Sequence, residues 1–127
     1  MNKPLIAIPI GDPAGVGPEI VAMALADSKV AEAARCIIVG DRKIMEQAVK
    51  ITGAEVRVNV VKEPEEGIYE PGVLNLIDLD NIDMDQFEFG KVSGMCGKAA
   101  YEYIAESIRL ANEGKADAVA TTPINKE

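Results

Sequence analysis

Histidine and tryptophan are missing from this 127-residue chain altogether. With no imidazole, and with its two cysteines, Cys36 and Cys96, far apart, the chain offers no zinc site of the usual kind. Carboxylates around Mg2+ or Mn2+ remain open as a hard-metal alternative. One cysteine lies in an apolar run and the other in a glycine-rich stretch, so two reduced thiols in a cytosolic protein are expected, not a disulfide. Positive charge is scarce: 13 Lys and Arg stand against 21 Asp and Glu, a net charge of −8. Such a field repels polyanions, and no basic block interrupts it, which argues against a nucleic-acid partner. Long hydrophobic runs are lacking too. The first, over residues 5–10, contains Pro9, is too short for a membrane span or a signal-peptide core, and precedes no small-residue cleavage site. A cytoplasmic location without membrane contact is the expectation.

What is present is globular: 48% of residues are apolar and 27% charged, enough apolar material in one domain length for a real core. Residues 5–10 read as a buried strand, with Pro9 where its missing N–H is not needed. Pro18 and Glu19 suit the first turn of a helix whose apolar face is Ile20, Val21, Ala24 and Leu25, and Asp27 and Ser28 break it. A second buried strand, 36–39, turns at Gly40-Asp41 into a helix bearing Ile44, Met45, Ala48, Val49 and Thr52 on one side, with Gly53 as its C-cap. Val56, Val58 and Val60 alternate with Arg57 and Asn59, predicting a strand with one solvated face. A polar loop over 62–72, a strand over 73–79 and a long irregular stretch over 80–97 follow. A helix over about 98–113 has Ala100, Tyr103, Ile104, Ser107, Ile108 and Ala111 on its apolar face and Gly114 at its stop. A short strand, 118–121, comes last. Strands alternating with helices imply a layered α/β/α domain with a parallel or mixed sheet. A strand ending at Pro123 should lead into a crossover helix, so residues 1–127 read as the amino-terminal portion of a larger protein, cut after Glu127.

Two loops carry chemistry, each at the carboxyl end of a strand, where open α/β sheets bind ligands. Gly11-Asp-Pro-Ala-Gly-Val-Gly-Pro-Glu19 opens a helix, yet it is neither the dinucleotide fingerprint, having Ile20 where a third glycine is required, nor a P-loop. Asp12 and Glu19 would compete with a phosphate at the helix start; hydroxyl, ammonium or metal partners suit the loop better. The plain alternative is a rigid turn, with glycines supplying positive φ and prolines stiffness. In Thr121-Thr-Pro-Ile-Asn-Lys-Glu127, the hydroxyls of Thr121 and Thr122, the Asn125 amide and the Lys126 ammonium can grip a phosphate or carboxylate. Lys126 can alternatively polarise a hydroxyl or carbonyl during hydride transfer, or be a solvated first-turn lysine. A third stretch, Gly90 to Gly97, is either an anion nest assisted by Lys91, Ser93 or Lys98, or a flexible connection.

Together these stretches resemble the PdxA family of NAD-dependent dehydrogenases. The likeness rests on the segment from Gly11 to Ile20, the Gly-Lys-Val from Gly90, Ala99-Ala-Tyr101, and Ala120-Thr-Thr-Pro-Ile-Asn-Lys-Glu127, in that order and spacing. The resemblance implies an isocitrate/isopropylmalate-dehydrogenase-like fold, a homodimer and a phosphorylated small-molecule substrate. The implied reaction is oxidation with decarboxylation of a phosphorylated four-carbon hydroxy acid, with NAD as hydride acceptor and a divalent metal (Zn, Mg or Mn) on the substrate hydroxyl. In biosynthetic members the substrate is 4-phosphohydroxy-L-threonine, on the way to pyridoxal phosphate; related members act on 4-phospho-D-threonate or 4-phospho-D-erythronate in acid-sugar catabolism. The family's metal-ligand histidines have no counterpart here. What carries over is a cleft lined by Gly11, Asp12, Gly15, Thr122 and Asn125, with Lys126 as the catalytic candidate. The fragment alone is then expected to be inactive. Competing readings are another branch of the broad fold, such as a phosphate acetyltransferase, against which the Thr-Pro-Ile-Asn-Lys ending argues, and a non-catalytic ligand-binding module.

Overall fold

The computed structural model describes residues 3–11, 13–85 and 94–121. Five strands, β1 (Leu5–Pro9), β2 (Arg35–Gly40), β3 (Arg57–Val61), β4 (Val73–Asp78) and β5 (Ala118–Val119), pair in the order β3-β4-β2-β1-β5, every pair parallel. Between them run α1 (Gly17–Ala26), α2 (Ser28–Ala33), α3 (Arg42–Thr52) and α4 (Gly94–Asn112). The chain steps from β1 through β2 to β3 in one direction along the sheet, then from β4 back across to β5. Right-handed crossovers therefore put α1 and α3 on one face and α4 on the other. The packing agrees: α1 lies on α3, and α4 lies against β1, β2 and β5. This is the expected α/β/α layering, with a sheet that is parallel throughout its described strands. No helix among the described residues is long and apolar enough to cross a membrane.

The core is centred on β2 and β4, whose Ile37, Ile38, Val39, Leu74 and Leu76 are wholly buried, as befits strands covered on both faces. Ile44, Met45 and Ala48 of α3 join them, as their helical spacing predicts, and Gly53 ends α3 in the left-handed conformation at φ 68°. Both cysteines are buried thiols, and desolvation pushes the Cys36 pKa up. Pro9 is tolerated for a geometric reason. Ile10 N–H donates to Val39 on the β2 side, so strand alternation turns the position-9 nitrogen towards β5. There the described pairing stops at Ala7↔Val119, one residue pair short of needing it.

Two local expectations are corrected. In β3 the solvated face is not Arg57 with Asn59. The Asn59 amide is half-buried and donates to the buried Asn75 of β4 (2.9 Å), while Val60 is 47% exposed because β3 is the sheet's edge. And α4 is already helical at Gly94, four residues before the expected start. Two glycines in its first turn weaken the helix by roughly 1 kcal/mol each, but burial of Cys96 and Ala99 offsets that. Its buried face, Cys96, Ala99, Ala100, Tyr103, Ser107 and Leu110, is rotated from the predicted one, and Ile108 is 47% exposed.

Candidate functional site at the carboxyl edge of the sheet

Because all described strands are parallel, their carboxyl ends share one edge. There the segment after β1 lies between the turn after β2 on one side and the residues after β5 on the other. Gly11 is buried and sits at φ 76°, which only glycine adopts without strain. Pro13 and Ala14 are buried, Gly15 is half-buried and Gly17 is the first residue of α1, so the loop is a tight strand-to-helix turn. Among the described residues no side chain caps α1. Val16 occupies the N-cap position, Pro18 the first turn, and Glu19 complements the dipole. On the β5 side, Ala120 N–H donates to Ala7 (3.0 Å), which ties the start of the second motif to β1, and Thr121 is exposed. The Gly11 loop and the Thr121 segment thus leave neighbouring strands at the same edge. Asp12, Thr122, Asn125 and Lys126 lie outside the described residues, as do Gly90 to Ser93. The remainder of the Gly90 stretch, Gly94 to Gly97, is helix and not an open nest.

The β2 side of the edge holds a side-chain network of which the sequence reading found only the Gly40-Asp41 turn into a helix. Asp41 is wholly buried and caps α3: its Oδ1 accepts from Lys43 N–H (2.8 Å) and Ile44 N–H (3.3 Å), and its Oδ2 from Ile82 N–H (3.2 Å). Asp78, at the end of β4, accepts from Arg42 N–H (3.0 Å) and Asp80 N–H (2.9 Å). The Lys43 ammonium reaches Asp80 at 2.6 Å and Asp41 at 3.6 Å. The hydrogen bond to Asp80 raises the Lys43 pKa, and the same bond lowers that of Asp80. Beyond it, buried Tyr103 donates to the Asn81 side-chain oxygen (2.8 Å) and the Asn81 amide donates to Glu102 (2.9 Å), while burial drives the Tyr103 phenol pKa well up. The available signal was the Gly40-Asp41 turn before a helix and the Asp-x-Asp spacing of Asp78 and Asp80. What the sequence could not show is that β2 and β4 are neighbours.

Comparison with known proteins decides the family. The profile described as pyridoxal phosphate biosynthetic protein PdxA matches residues 32–127. The chain belongs to the PdxA family. Relatives provisionally named D-threonate 4-phosphate dehydrogenase, from Fusobacterium nucleatum and Clostridium botulinum, are each 52% identical to it, over 122 and 126 residues. These alignments cover 96% and 99% of this PdxA-family chain, but 37% and 38% of the relatives. The crystal structure of a 4-hydroxythreonine-4-phosphate dehydrogenase from Burkholderia phymatum superposes with a TM-score of 0.94 at 40% identity, over 99% of this chain and 38% of that one. The likeness thus carries the α/β fold and membership of the PdxA family.

The family implies a metal, and Asp41, Asp78 and Asp80 place ligand atoms within 4.8 Å of one another. They do not fit one. The Asp41 oxygens already accept three backbone N–H groups, Asp78 Oδ1 accepts two, and a lysine ammonium stands among them. A divalent ion would have to displace that ammonium and share carboxylate oxygens that already serve N–H donors.

Proposed function

We propose that the complete polypeptide carrying this chain is an NAD-dependent, divalent-metal-assisted dehydrogenase of D-threonate 4-phosphate, working as a homodimer, whose keto-acid product loses CO2. The observation that carries this reading is the shared edge: the Gly11 loop and the Thr121 segment, the two motifs on which the family likeness rests, leave adjacent parallel strands side by side. A substrate held there would meet backbone groups of the Gly11 loop and the hydroxyl and amide side chains of the Thr121 motif. Lys126, five residues beyond Thr121, supplies the cation that an anionic substrate needs against a chain of net charge −8. The choice of the D-threonate series follows the names of the 52% identical relatives. The second reading, 4-phosphohydroxy-L-threonine in pyridoxal phosphate biosynthesis, is favoured by the family description and by the 40% identical crystal structure.

The test is a side-by-side assay of the complete polypeptide with NAD and Mg2+, Mn2+ or Zn2+ on both phosphorylated acids. Higher kcat/KM on 4-phospho-D-threonate is expected, and a preference for the L-threonine compound moves the protein to the second reading. The 127-residue chain assayed alone should form no NADH. In the complete polypeptide, Lys126→Ala should lower kcat/KM about 10- to 150-fold, the loss of one charge-assisted bond of roughly 1.5–3 kcal/mol. A loss confined to KM means equal contact with ground state and transition state, whereas a loss in kcat means contact with developing charge.

A further inference from the structure

The acidic cluster that fails as a metal site is too well connected to be an accident of surface charge. Its carboxylates come from three positions along one edge: Asp41 at the start of α3, Asp78 at the end of β4, and Asp80 in the turn beyond. That turn is irregular, with Asp80 at φ 48°, a conformation that aspartate tolerates better than most residues. Every residue of it is pinned from outside. Asp80 N–H is held by Asp78 and its carboxylate by Lys43, Asn81 by Tyr103 and Glu102 of α4, and Ile82 N–H by Asp41. Among the described residues, Lys43 is the one cation whose side chain reaches both the N-cap of α3 and this turn.

We propose that Lys43 is the built-in counter-ion of the Asp41–Asp78–Asp80 cluster: its ammonium stands where a divalent ion would otherwise be drawn, closes the cluster to metal, and clamps the turn after β4 onto the start of α3. Three carboxylates this close repel one another, and a single tethered ammonium relieves that without the dehydration a metal ion must undergo. The tether fixes the position, because Lys43 is itself the residue whose N–H Asp41 caps. One ammonium thus offsets part of the negative charge of this wall of the cleft from within, and any metal serving the reaction is held by other residues.

Removing the ammonium should turn the cluster into a metal site. The complete polypeptide is stripped with chelator and titrated with Mn2+, counting bound ions by electron paramagnetic resonance and following the melting temperature. Lys43→Ala should bind one more Mn2+ per chain than the unaltered protein, with a melting temperature that falls without Mn2+ and recovers with it. Lys43→Arg should keep the original count, and adding Asp80→Asn to Lys43→Ala should abolish the extra ion. Lys43→Met, which keeps the aliphatic stem, repeats the test should Lys43→Ala fold poorly. An unchanged Mn2+ count in both variants overturns the proposal. So does a lower count in Asp80→Asn with Lys43 intact, because the cluster would then hold a metal already.

Discussion

The two halves of the sheet's carboxyl edge are built on opposite principles. After β2 and β4 the chain is held by side chains: a buried aspartate with three N–H partners, a second with two, and an ammonium between carboxylates. After β1 the chain is held by backbone shape instead, by Gly11 in the left-handed region and by buried Pro13, Ala14 and Pro18. A wall with satisfied side-chain polar groups has few left for a ligand. The loop after β1 takes its shape from its backbone, and both family motifs lie on that side. On the proposed reading, the stabilising half and the binding half of this edge are separate, and substitutions should divide accordingly.

The largest effect on folding should come from Asp41→Ala. It removes a helix N-cap, about 0.5–2 kcal/mol, and leaves the Ile82 N–H without its carboxylate, about 1–3 kcal/mol more. Urea denaturation should show a loss of about 2–4 kcal/mol, with activity of the folded fraction retained. A loss below about 0.5 kcal/mol would mean that the wall is not held by Asp41.

Next in size is Gly40→Ala, where the two halves touch. A methyl built at Gly40 lies 2.8 Å from Ile10 Cδ1, and Ile10 is wholly buried at the end of β1. Overpacking of this kind costs about 1–3 kcal/mol. Because Ile10 directly precedes Gly11, the strain should also reach the loop, raising KM as well as lowering stability. Gly40→Ala combined with Ile10→Val, which removes the δ carbon, should recover part of both losses.

Gly11→Ala should be milder for folding, about 1–2 kcal/mol for an L-residue at φ 76°. On activity it should exceed Asp41→Ala, because the displaced backbone is that of the loop proposed to line the substrate cleft. The paired measurements sharpen the comparison most directly: urea midpoints should rank Asp41→Ala as worse, and kcat/KM should rank Gly11→Ala as worse. The reverse ranking would dissolve the division between the halves.

How much of this was legible in the sequence follows from the range of each signal. α3 was readable end to end, because its cap Asp41, its stripe of Ile44, Met45 and Ala48, and its stop Gly53 all lie within one local stretch. Gly11 was readable as a turn glycine for the same reason. α4 was found but misplaced in phase: Ala100, Tyr103 and Ser107 were placed on the buried face, but choosing Ile104, Ile108 and Ala111 over Cys96, Ala99 and Leu110 turns that face by about a sixth of a revolution. The edge position of β3 and the polar pairing of Asn59 with Asn75 depend on strand order, which no local pattern carries. The Asp41–Lys43–Asp80 cluster needs β2 and β4 side by side although β3 intervenes in the chain. The candidate cleft was legible only through its motifs, and four of its predicted residues, Asp12, Thr122, Asn125 and Lys126, lie outside the described structure.

The smallest effect should be the pH dependence of the Lys43–Asp80 pair. The bond to Lys43 holds Asp80 below its ordinary value of 3.8. A carboxylate so depressed contributes stability that is present above 3.8 and is lost as pH falls through the folded value. Lys43 is raised above 10.5, so its share is present below 10.5 and is lost as pH rises through the folded value. Asp80→Asn removes the pair without disturbing the backbone, because asparagine tolerates the left-handed conformation as readily as aspartate. The melting temperature of Asp80→Asn should therefore sit slightly below that of the unaltered protein by a constant margin between these limits. The margin should close below pH 3.8 and above pH 10.5. Asp80 is 76% exposed on its side chain, so added salt should shrink the margin at neutral pH too. A margin that persists in acid would assign the role of Asp80 to its turn geometry and not to its charge, leaving Asp41 as the main tie of this wall.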